Sequence, residues 1–177
     1  DRNVQASLMN HEMIQRMGDK LNIVYTPLHG SGNMPVRRNL EKAGFKNVFI
    51  VKEQEMPDSS FSTVDYPNPE DVKVFVMAQE LAAKVDADVL IGTDPDADRF
   101  GAMVKDSNGE FVALTGNHVG ALATEYILSQ RKAQGKLPAN GAVIKTIVST
   151  EMITPICEEY GVEKMDVLTG FKFIGEK

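Results

Sequence analysis

The sequence predicts an α/β protein: a mixed, mostly parallel sheet flanked by helices, followed by a second, truncated α/β unit. Three observations carry this. Short apolar runs at 21–25, 48–51 and 89–91 alternate with helical patterns at 33–43 and about 70–85, the βαβαβ order of a parallel sheet. The turn signal Asp106-Ser107-Asn108-Gly109 lies between the apolar runs 100–104 and 110–114, a hairpin that adds an antiparallel edge strand. A new strand–helix series then begins, so the chain divides into 1–112 and 113–177.

Each element has a local reason. Residues 1–18 carry Val4, Leu8, Met9 and Met13 near helical spacing, with Gly18 as the stop. After the strand at 21–25, Thr26-Pro-Leu-His29-Gly-Ser-Gly32 is a tight loop, and Asn33 is placed to cap the next helix, ended by Gly44. Residues 53–70, with three prolines and several acids, read as a surface loop. Pro69 before Glu70-Asp71 starts a helix running to about 85. In the second unit a helix runs from 117 to about 131 and a polar linker covers 132–140. A strand at 142–147, a helix at 150–160 and a strand at 164–168 follow, with a turn at 170–175. Two strands are little core for an independent unit, so the second half of the chain is expected to be under-packed.

Composition excludes several classes. With 42% hydrophobic and 25% charged residues the chain has a soluble, globular composition. A net charge of −6 gives no electrostatic support for nucleic acid or an anionic membrane. No apolar run approaches the roughly 18 residues of a membrane span. The lone Cys157 rules out a disulfide scaffold and points to a reducing, cytoplasmic setting. The opening Asp1-Arg2-Asn3-Val4 has no signal-peptide pattern. Without an initiator Met, and ending at Gly175-Glu-Lys177, the chain reads as a piece of a longer protein.

The strongest chemical signal is Asp94-Pro-Asp96-Ala-Asp98-Arg99, directly after the strand at 89–91. Two like charges ~4 Å apart cost about 1 kcal/mol in water and about 4 at an effective dielectric of 20. A divalent cation removes that cost, and Mg²⁺ suits a few carboxylates completed by water or phosphate. The carboxyl end of a strand is also where open α/β sheets place ligands. An EF-hand is excluded, because loop positions six and twelve are Arg99 and Lys105 rather than Gly and Glu. Arg99 suits a phosphate oxygen or neutralises the acidic loop. The Gly-rich loop at 26–32 offers backbone N–H groups to an anion or is a plain strand-to-helix turn. His29 is a candidate polar site residue, while His11 and His118 have no assigned role. Lys145, inside an otherwise apolar strand, is either a proton acceptor with a pKa lowered by desolvation or a strand-end lysine reaching water. Lys172, between Phe171 and Phe173, reaches an anionic substrate or lies on the surface of a first helical turn.

Four motifs in this order, Thr26–Gly32, Asp94–Arg99, Lys145-Thr-Ile-Val-Ser149-Thr150 and Thr169-Gly-Phe-Lys172-Phe-Ile-Gly175, resemble the α-D-phosphohexomutases, the phosphoglucomutase/phosphomannomutase superfamily. The resemblance covers essentially the whole chain: the second of four domains, about 1–112, then the opening of the third. It implies a phosphoserine enzyme that moves a phosphoryl group between sugar positions through a bisphosphate, with glucose phosphate as the leading substrate. It also implies Mg²⁺ held by Asp94, Asp96 and Asp98, with Arg99 nearby. Lys145 matches a general acid/base, Lys172 a substrate-side lysine, and Ser149 and His29 site-proximal groups. Phosphomannomutase, phosphopentomutase and an aspartyl-nucleophile phosphatase are the alternatives. Many family members have Gly at the positions of Pro95 and Ala97; the Pro/Ala form is similar to the glucose- and pentose-type branch. The family's phosphoserine loop, sugar-selecting loop and phosphate clamp are missing here, so the partners expected are the other domains of the parent chain. The fragment alone is expected to be inactive.

Overall fold

The computed structural model describes residues 8–177, in two compact units, one of them His11–Thr115 and the other containing Gly116–Lys177. The first unit runs α1 (His11–Met17), β1 (Asn22–Thr26), α2 (Asn33–Ala43), β2 (Asn47–Ile50), two short 3₁₀ turns (Lys52–Gln54 and Val72–Phe75), α3 (Val76–Val85), β3 (Val89–Thr93), β4 (Phe100–Lys105) and β5 (Phe111–Leu114). The helix expected over 1–18 corresponds to α1; the part over residues 1–7 lies outside the described residues.

Five strands form one sheet in the order β2-β1-β3-β4-β5. β1 pairs in parallel with β2 and β3, β3 pairs antiparallel with β4, and β4 with β5. The single reversed strand, β4, is therefore internal rather than at the edge. The hairpin brings β5 to the edge, running in the direction of the parallel strands. The core under the sheet joins Val24 and Leu90 to Leu28, Val51, Val74, Phe75, Ala78, Ala82 and Met103. Ala78 and Ala82 let α3 lie close, and burying Phe75 contributes about 1.5–3 kcal/mol.

Two local readings change. Asn33 does not cap α2. Gly32 takes that position, and Asn33 Nδ2 donates instead to Glu55 O at 2.9 Å. Residues 53–70 are not simply a surface loop. Gln54 is 1% exposed, Pro69 is buried and Val64 packs on the core. Backbone hydrogen bonds within the segment close it into successive turns. At the start of α3 the first turn is 3₁₀, because the Asp71 side chain accepts from Lys73 N and tightens it.

The second unit contains α4 (Gly116–Ala133), β6 (Ala142–Thr146), α5 (Ile153–Tyr160), β7 (Glu163–Val167) and α6 (Phe171–Glu176). β6 and β7 form a parallel pair, with Lys145 opposite Asp166. Leu128, Ile153, Cys157, Val162 and Val167 are buried. α6 buries no residue, and Ile147, Val148, Leu168 and Phe171 are exposed.

A candidate metal centre at the carboxyl edge of the sheet

Because β1 and β3 are parallel neighbours, with Thr26 opposite Gly92, their outgoing loops leave the sheet side by side. The β3 loop folds on itself. Ala97 N donates to Asp94 O at 3.0 Å, with Ala97 in the left-handed region at φ 60°. Arg99 closes the turn by donating its backbone N–H to Asp94 Oδ1 at 3.0 Å and its Nε–H to Oδ2 at 2.7 Å. The Asp94 side chain is 0% exposed. Burial opposes its ionisation, but the hydrogen bonds and charge of Arg99 outweigh that and hold its pKa below the ordinary value. Asp98 shifts the other way, pushed up chiefly by the charge of Asp96, then by burial and Asp94.

The upward shift of Asp98 accompanies crowding of the three acids. One carboxylate oxygen from each of Asp94, Asp96 and Asp98 lies within 4.8 Å of the others. The donor set is hard oxygen throughout, one acid locked by the fold and two exposed, which fits a divalent cation that keeps part of its water. Arg99 also lies 3.8 Å from Asp98.

Several N–H groups of the loop after β1 are used within the chain: His29 N donates to Gln54 O, Gly30 N to Pro27 O and Ser31 N to Pro95 O. Its glycines permit close approach. A Cβ at Gly32 would lie 2.6 Å from Thr93 Oγ1 and 2.8 Å from Tyr25 Oη, the two atoms that hydrogen-bond beneath the site at 2.8 Å. Leu28 and His29 are both left-handed, at φ 46° and 62°, a conformation that disfavours side chains by about 1–2 kcal/mol each.

His29 is buried, and both of its ring nitrogens are engaged within the chain. Nδ1 lies 2.8 Å from Met56 O, so it carries the proton and donates; Nε2 lies 2.8 Å from Thr63 Oγ1. Gln54 completes the network, accepting from Thr26 Oγ1 at 2.6 Å and donating to Thr63. The imidazole thus fastens the 53–70 segment to the loop beside the acids.

Lys145, Ser149 and Lys172 belong to the second unit. Lys145 is 5% exposed, and its Nζ lies 2.8 Å from Glu151 Oε1 and 2.9 Å from Asp166 Oδ1. It also donates to Ser149 O and Thr146 O. The expected lowering of its pKa is reversed. The hydrogen bonds to Glu151 and Asp166 outweigh desolvation and raise it. The Ser149 hydroxyl pairs with Thr146 Oγ1 at 3.0 Å. Lys145, Ser149 and Thr146 line a cleft of about 240 Å³ with Asn117, Thr150 and Ile153. Lys172 is exposed, its Nζ 4.8 Å from the Phe173 ring centroid.

Glu151 and Asp166 escaped sequence reasoning. The only signal was a lone lysine in the apolar strand β6; β7, Glu-Lys-Met-Asp-Val, is mostly charged, and nothing in it singles out Asp166 as the residue opposite Lys145.

Two family models match, "Phosphoglucomutase/phosphomannomutase, alpha/beta/alpha domain II" over residues 3–109 and domain III of the same family over residues 115–177. The chain is 40% identical over 157 residues to a phosphoglucomutase of Staphylococcus aureus strain USA300, covering 89% of this chain and 28% of that protein. It is 41% identical over 154 residues to a phosphoglucomutase of Staphylococcus epidermidis, covering 87% and 28%. It spans little more than a quarter of either relative. Among solved structures, a phosphoglucomutase/phosphomannomutase family protein from Burkholderia thailandensis shares the fold, with a TM-score of 0.65 at 21% identity over 93% of this chain and 34% of that one.

Proposed function

Because the chain belongs to the phosphoglucomutase/phosphomannomutase family, we propose that its parent protein is a phosphoglucomutase-type isomerase. It interconverts sugar 1-phosphate and 6-phosphate through a phosphoserine on another segment of the parent and a bisphosphate intermediate. Residues 1–112 form its metal-holding α/β domain and 113–177 the opening of the next. Glucose phosphate is the leading substrate, following the names of the staphylococcal relatives, and the setting is cytoplasmic.

The observation that carries this reading is the convergence of Asp94, Asp96 and Asp98 at the end of β3. These three would hold Mg²⁺, which when bound neutralises charge on the phosphoryl oxygens. Arg99 keeps Asp94 ionised and brings a guanidinium beside an incoming phosphate. Both Asp94 oxygens accept from Arg99, which favours a fixed ligand over an aspartyl nucleophile. Lys145 moves a proton to or from the sugar hydroxyl, Lys172 supplies a cation to the substrate phosphate, and Ser149 orients the turn beside Lys145. His29 serves by fastening the loop beside the acids, not by touching substrate.

The test is an assay of the full-length protein on glucose 1-phosphate, mannose 1-phosphate and a pentose 1-phosphate, with and without Lys145→Ala. Turnover of glucose 1-phosphate falling roughly 10²–10⁴-fold in the variant is expected of a positioned acid/base. A raised KM with kcat intact would leave Lys145 only a phosphate-binding cation. Preference for mannose or pentose phosphate would move the assignment within the family. No mutase activity on any of them would end it.

A further inference from the structure

The family reading assigns Lys145 a proton to move, but the groups that decide whether it carries that proton lie elsewhere. Lys145 and Lys164 are joined by two carboxylates that each span both lysines. Glu151 gives Oε1 to Lys145 at 2.8 Å and Oε2 to Lys164 at 3.1 Å. Asp166 gives Oδ1 to Lys145 at 2.9 Å and Oδ2 to Lys164 at 2.7 Å. The result is a closed ring of two cations and two anions. Three of its members come from paired strands, Lys145 from β6 and Lys164 and Asp166 from β7. Glu151 comes from the turn before α5, whose Thr154 hydroxyl donates to Oε2 at 3.1 Å.

The ring is asymmetric in exposure: Asp166, on β7 opposite Lys145, has a side chain 38% exposed, whereas that of Glu151, on a turn, is 71% exposed. The Lys145 ammonium has three N–H bonds and four acceptors around it, the two carboxylates and the carbonyls of Thr146 and Ser149. The four acceptors favour the charged form: an ammonium offers them three N–H donors, and a neutral amine would offer only two beside two carboxylates.

We infer that Glu151 and Asp166 are positioning residues for Lys145, holding its side chain at the end of β6 as an ammonium, and that Lys164 sets how strongly they do so by sharing both carboxylates. This rests on the reading of Lys145 as an acid/base group only for its catalytic meaning; the ring itself is a property of this chain. The direction of the pKa shifts agrees: both lysines are raised by their hydrogen bonds to Glu151 and Asp166, and Glu151 is lowered to about 2.

The ring gives a signed test. Removing an acid leaves two cations for one carboxylate; removing Lys164 leaves two carboxylates for one cation. Acetylation of Lys145 by acetic anhydride, followed across pH by peptide mass spectrometry, reads the fraction of free amine. Glu151→Gln should speed acetylation at fixed pH about tenfold or more, one unit of pKa, and Lys164→Met should slow it. Opposite signs in two variants of one ring separate this from a general loss of structure, checked by circular dichroism. Should Glu151→Gln fail to fold, Lys164→Met alone decides, because unfolding would speed acetylation and the ring requires it to slow. Unchanged rates, or faster acetylation in folded Lys164→Met, would overturn the inference. An intact kcat in Lys145→Ala would instead remove the catalytic reading and leave the ring standing.

Discussion

Gly30 and Pro95 meet backbone to backbone: a Cβ on Gly30 would lie 2.5 Å from Pro95 Cα and 2.7 Å from Pro95 O. This contact ties the loop after β1 to the acidic loop after β3, and Ser31 reinforces it by donating both its N–H and its hydroxyl to Pro95 O. Gly30→Ala must push one loop off the other. It should destabilise the first unit by about 1–3 kcal/mol, the usual range for overpacking. Because Pro95 lies between two of the acids, divalent-metal affinity should fall as well. Thermal denaturation and calorimetric metal titration check the two effects.

Ala97 is the strained point of the same loop, left-handed at φ 60°. Replacing it with glycine removes about 1–2 kcal/mol of steric cost. The extra freedom of glycine in the unfolded chain returns about 0.5–1 kcal/mol. Ala97→Gly should therefore be stabilising by about 0.5–1 kcal/mol in chemical denaturation, against the usual effect of adding a glycine.

Arg99 holds Asp94 below its ordinary pKa despite burial. A depressed carboxyl contributes stability that is present above its unfolded pKa and lost as pH falls through its folded pKa. With Arg99→Met, burial remains and the opposing hydrogen bonds and charge go. The variant should melt lower than the parent sequence at neutral pH, and the gap should close as pH falls, first through the raised Asp94 pKa of the variant and then through the depressed one of the parent, on either side of the unfolded aspartate value of about 4. A gap of equal size at pH 3 and pH 7 would show that Arg99 acts through packing rather than through the Asp94 charge.

The sheet and the three acids were legible because each has a local cause. Apolar runs bounded by Gly and Pro mark the strands, and alternate acids at a strand end mark the acidic loop. The contacts of His29 and Lys145 were not, because each depends on partners distant in sequence. His29 is read by Met56 and Thr63, and Lys145 by Asp166 across a strand pair. The burial of Lys145 was apparent from its apolar neighbours. The sign of its shift was not, since desolvation and ion pairing push a lysine in opposite directions and only the contacts decide which wins. The Gly-rich loop stayed open between two readings for a related reason: glycine permits both an anion cradle and close packing of two loops, and the contact of Gly30 with Pro95 is of the second kind.

The central claim is that Asp94, Asp96 and Asp98 form one divalent-cation site. Calorimetric titration of Mn²⁺, a stand-in for Mg²⁺, into this chain and into the doubly substituted Asp96→Asn, Asp98→Asn variant tests it most directly. Both substituted residues are exposed, so the fold should be spared. The expected result is one saturable Mn²⁺ per chain, displaced by Mg²⁺ and lost in the variant. No saturable binding to the unaltered chain, or equal binding to a folded variant, would contradict it.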